Sequence, residues 1–60
     1  MKKIAIAIYK PLKGMEDERF TIGKQYEAYS SGKLCFITDD TNKSHPMSFG
    51  FFEAHFMRLG

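Results

Sequence analysis

Apolar residues alternate with small or polar ones along most of the chain, and that two-residue period predicts strands rather than helices. Residues Lys3 to Tyr9 place Ile4, Ile6 and Ile8 on one face and Ala5, Ala7 and Tyr9 on the other. Isoleucine at every second position favours a strand over the helix that alanine would permit. A second strand is expected from about Gln25 to Tyr29, with Tyr26 and Ala28 opposite Gln25, Glu27 and Tyr29. Leu34 to Thr38 reads as a third, apolar on both faces and therefore central. Ser44 to Ser48 reads as a short fourth strand, placed at an edge because Pro46 has no amide hydrogen to donate. The expected core is Ile4, Ile6, Ile8, Ile22, Tyr26, Leu34 and Phe36.

Turn chemistry separates these segments. Lys10 to Arg19 holds Pro11, Gly14 and the acidic run Glu16, Asp17, Glu18, which predicts a long polar loop. Gly23 is suited to a turn of positive φ before the second strand. Ser30 to Lys33 and Asp39 to Lys43 read as hairpin connections. The tail is ambiguous: Phe49, Phe52, Phe56 and Leu59 have helical spacing, while Gly50 weakens a helix. The preferred reading is a 3₁₀ turn over Phe49 to Glu53 and a last strand over His55 to Leu59, with a short amphipathic helix as the alternative.

Composition fits one small folded domain over residues 1–60, with 43% hydrophobic and 15% aromatic residues. The apolar run after Lys2 and Lys3 stops at Lys10-Pro11, too short for a signal core or a membrane span, so a cytoplasmic protein without membrane contact is expected. Cys35 is the single cysteine, which excludes an internal disulfide and suits a reducing compartment. A net charge of +2 gives weak attraction to nucleic acid.

Candidate chemistry is sparse. Cys35 lies mid-strand, where an inert thiol is expected, and neither His45 nor His55 comes with an orienting group. One cysteine and two separated histidines do not make a zinc site. Asp40-Thr41-Asn42 begins like a calcium loop, yet the required glycine is missing and Phe51 stands where the glutamate belongs. No catalytic residue, metal or cofactor is expected.

Several motifs carry a resemblance. Ala7-Ile8-Tyr9, an acidic loop and Phe20-Thr21-Ile22-Gly23-Lys24-Gln25-Tyr26 resemble the opening of SH3 domains. Phe20-Thr21-x-Gly23-Lys24-x-Tyr26-Glu27, Thr38-Asp39-Asp40 and Phe51-Phe52-Glu53 are similar to small SH3-like proteins of bacteriophages and mobile elements. The resemblance implies an all-β fold, a five-stranded SH3-like barrel with a short 3₁₀ turn before the last strand. It also implies a source and a role, since some small phage proteins inhibit a host protein. Polyproline recognition is not implied, because the chain has no tryptophan and Lys10-Pro11 replaces the expected loop residues.

The tail packs Met47, Phe49, Phe51, Phe52, Phe56, Met57 and Leu59 into thirteen positions, more than one small core is expected to hold. Some should form an exposed surface for a protein partner or a second copy, making a homo-oligomer. The expected contact residues are Tyr9, Lys10, Lys13, Glu16, Asp17, Glu18, Phe49, Phe51 and Phe52. The function expected is a non-catalytic interaction module that binds or inhibits a host protein. The alternative is a small nucleic-acid-binding barrel that uses the basic first strand and loop, in which Lys2, Lys10 and Lys13 meet phosphates while Tyr9 stacks on a base.

Overall fold

A computed structural model describes residues 1–59. Five strands and one helix follow in the order β1 (Lys2–Tyr9), β2 (Gln25–Ser31), β3 (Leu34–Thr38), β4 (Ser44–Ser48), α1 (Phe49–His55) and β5 (Phe56–Arg58). All neighbouring strands are antiparallel, in the spatial order β4-β3-β2-β1-β5. The β2–β3 and β3–β4 connections are short hairpins, β1 and β2 are joined by the long loop of residues 10–24, and β5 follows α1 to lie beside β1. β3 is flanked on both sides and β4 is an end strand, as its proline requires.

The turns follow from their residues. Gly23 has φ 86°, a region open to glycine, and its amide donates to the Tyr9 carbonyl at 2.9 Å. Asn42 takes φ 68° in the β3–β4 turn, which asparagine tolerates better than other side chains. The buried Asp39 carboxylate accepts from the Thr41 and Lys43 amides and the Thr41 hydroxyl, and pairs with His45 Nε2. Asp40 ties this turn to the one before β2, accepting from Thr21 Oγ1, Lys24 Nζ and the Tyr26 hydroxyl.

Which face of the sheet is buried corrects the sequence reading. The core is Ala5, Ala7, Tyr9, Phe20, Tyr26, Ala28, Cys35, Ile37, Phe52 and Phe56. Of the expected core, only Tyr26 belongs to it; Ile6, Ile22 and Leu34 are exposed, and Ile4, Ile8 and Phe36 are half-buried. The reason is space. Tyr9, Phe20, Tyr26, Phe52 and Phe56 fill the interior with ring centroids 5.1 to 6.2 Å apart. β1 and β2 must then present alanines inward, because larger residues there would overlap the rings. The register shifts between Lys3 and Ala5, so that Ile4 still packs against the core edge.

The tail also differs in detail. α1 is an α-helix that runs to His55, two residues beyond the expected 3₁₀ turn, and β5 begins at Phe56. Ser48 caps it, its hydroxyl accepting from the Phe51 amide, and the Phe56 amide closes it on the Phe52 carbonyl. Burial of Phe52 and His55 outweighs the cost of Gly50. No helix among the described residues is long and apolar enough to cross a membrane.

Candidate functional site

The loop between β1 and β2 is held in place rather than left free. The Asp17 amide donates to the Tyr9 hydroxyl at 2.8 Å, and the Phe20 amide to the Asp17 carbonyl. Arg19 binds the Asp17 carboxylate through Nε and Nη2, the closest contact being 2.7 Å. That guanidinium, with the Arg19 amide, holds the Asp17 carboxyl below its ordinary pKa. Lys10 donates its amide to the His55 carbonyl, and the Asp40 amide donates to the Arg19 carbonyl. The loop thus becomes one wall of a groove whose other wall is β4 and α1.

The groove encloses about 530 Å³, with an adjoining depression of about 320 Å³ toward β4. Tyr9, Phe20, Met47, Phe51 and Phe56 supply an apolar floor and wall. Met15, Glu16, Asp17, Glu18 and Arg19 form the rim. The Glu16 carboxyl sits below its ordinary pKa because the backbone amides of Glu16 and Gly14 donate to it. Glu18 has no ion pair among the described residues. In the adjoining depression, His45 and Pro46 face Phe20 and Phe51. An apolar trough under a carboxylate rim can take an extended chain with an apolar anchor and flanking cations.

Of the nine residues singled out from sequence, Tyr9, Glu16, Asp17, Glu18 and Phe51 meet in this groove. Lys10 and Lys13 are exposed on the loop but do not line it. Phe49 is half-buried against the core and also lies outside it. Phe52 is a correction: it is 0% exposed and cannot meet a partner, whereas its neighbour Phe51 is 46% exposed. Helical geometry separates the two, since adjacent residues lie about 100° apart around the axis. Met15 and Phe20 were missed as groove residues. Their signal was present, an apolar residue on each side of the acidic run.

Cys35 is buried, and desolvation pushes its thiol pKa up, opposite to what a nucleophile needs. No cluster of three or more His, Cys, Asp or Glu side chains suited to a metal ion occurs among the described residues. No family model, curated protein or solved structure matches the chain.

Proposed function

We propose that this domain is a non-catalytic protein-interaction module whose groove receives an extended, basic and apolar segment of a protein partner. The observation that carries this reading is the exposed ring of Phe51 and the partly exposed Met47, set over the buried rings of Tyr9, Phe20 and Phe56 and beside Glu16, Asp17 and Glu18. The floor supplies affinity by removing apolar surface from water, and the rim selects the sign of the partner's charge. The resemblance to SH3-like proteins of phages and mobile elements supports a host cytoplasmic protein as the partner, with inhibition as the outcome of binding. Nucleic acid is the weaker occupant, because Glu16, Glu18 and the Arg19-paired Asp17 line the groove where phosphates would enter, and Lys10 and Lys13 do not line it.

Phe51→Ala tests the proposal. It should lower affinity for partner captured from host extract at least tenfold, with the circular dichroism unchanged. Glu16→Lys combined with Glu18→Lys should weaken binding further and reverse its dependence on salt. Full binding by both variants would overturn the assignment of this groove.

A further inference from the structure

The opposite face of the sheet has the composition of an interface. Register places Lys3, Ile6 and Ile8 of β1, Gln25, Glu27 and Tyr29 of β2, and Leu34, Phe36 and Thr38 of β3 on one side. Pro46 of β4 lies opposite Phe36, and Met57 of β5 opposite Ile8. Leu59 follows, its amide donating to the Ile6 carbonyl at 2.8 Å. Ile6, Leu34, Met57 and Leu59 are 37%, 42%, 44% and 48% exposed. A sheet face turned to water ordinarily carries polar and charged side chains. Among the described residues, the charged side chains that the strand register places on this face are Lys3 and Glu27, with the Lys24–Asp40 ion pair at its border, in a chain with nine basic and seven acidic residues.

We infer that this outer sheet face is where two copies of the chain meet, in a weak dimer. Three observations select a second copy as the occupant. Lys3 and Glu27 already pair at 2.8 Å, so the face itself is neutral and adds no like-charge contact to the mild repulsion between two copies of net charge +2. The same ion pair can be exchanged across a two-fold axis, which makes the face self-complementary in charge. The area also fits. With extents of 29 × 22 × 18 Å, a broad-face contact covers on the order of 500 Å² per copy, about 1,000 Å² in total. That lies at the lower limit for a specific interface and gives a concentration-dependent dimer. A depression of about 440 Å³, bordered by Ile4, Ile6, Gln25 and Leu59, offers a recess for a protruding side chain of the facing copy. The groove opens on the other side of the sheet, so the dimer presents two grooves outward and binds a partner with repeated segments more tightly.

Sedimentation equilibrium between about 10 μM and 1 mM reads the dimer directly. The mass should rise from 6.9 kDa toward twice that value. Leu34→Glu and Ile6→Glu should each raise the dissociation constant at least tenfold, with unchanged circular dichroism, while Phe51→Ala should dimerise like the wild type. Independently of any variant, dilution of labelled wild-type protein should perturb amides of β1, β3 and β5 and leave those of Glu16 to Glu18 still. A wild-type mass that stays monomeric at 1 mM overturns the inference. So does dilution that perturbs the groove amides instead.

Discussion

The inner and outer faces of the sheet use the same strands in opposite ways. Inward, β1 and β2 offer Ala5, Ala7 and Ala28, and the volume comes from rings delivered by the loop, the helix and β5. Outward, β1 offers Ile6 and Ile8, the larger side chains, to a surface with little else covering it. Hydrophobicity alone therefore misassigns the faces. What decides is complementarity of volume, since a layer of five closely packed rings requires small residues beneath it.

The largest break in this contrast should come from the neighbouring phenylalanines of α1. Phe52→Ala leaves a cavity beside Phe56 at a fully buried position and should cost about 3–5 kcal/mol. A domain of this size is stable by only about 3–9 kcal/mol, so the variant should be largely unfolded on warming. Phe51→Ala, one residue away, should stay within about 0.5 kcal/mol of the wild type in urea denaturation. Equal losses would mean that Phe51 belongs to the core and not to the groove.

A middle-sized effect should come from adding volume. Ala28→Leu pushes three carbons into a fully buried position beside the rings and should cost about 1–3 kcal/mol. Ile6→Val on the outer face removes one methylene from a partly exposed site and should cost less than about 0.5 kcal/mol in the monomer. Denaturation midpoints of the two variants, compared at matched slopes, measure the asymmetry.

Much of the architecture was legible in the sequence. Of the strands from Gln25 to Ser48, β2 announces itself by alternation, β3 by its apolar run and β4 by an edge proline, and the turns at Gly23, Gly32 and Asn42, each with positive φ, set them apart. These are local signals, and local sequence determines them. The burial of Ala7 against Ile6 was not legible, because period two says that faces differ and not which one is covered. The extent of α1 was hidden for a related reason: Gly50 argues against a helix locally, and the full burial of Phe52 in the core settles the matter. The groove was half legible. Tyr9 and the acidic run pointed to it, while Phe51 and Phe52 could be told apart only once the helix phase was known.

The smallest effect should be a titration that touches one face and spares the other. Asp40 accepts from Lys24 Nζ, Thr21 Oγ1 and the Tyr26 hydroxyl, and these bonds hold its carboxyl down to about 2, against an ordinary 3.8. The folded form therefore binds its proton less readily than the unfolded chain does. The stabilisation is fully present above about pH 4 and is lost as the pH falls toward 2. Asp39 is likewise held well below the usual carboxylate range by Thr41, His45 and the Lys43 amide, and acts in the same direction. Both residues brace the turns that carry the inner-face ring of Tyr26. Among the described strand residues, the carboxylate on the outer face is Glu27, lowered by Lys3 in an exposed pair that salt screens. Melting temperatures should accordingly fall between pH 4 and pH 2. Asp40→Asn should start lower at pH 7 and fall less steeply, whereas Glu27→Gln should follow the wild-type slope in 0.5 M salt, where the Debye length is only about 4 Å. A slope abolished by Glu27→Gln and untouched by Asp40→Asn would place the acid-sensitive stability on the outer face and reverse the contrast.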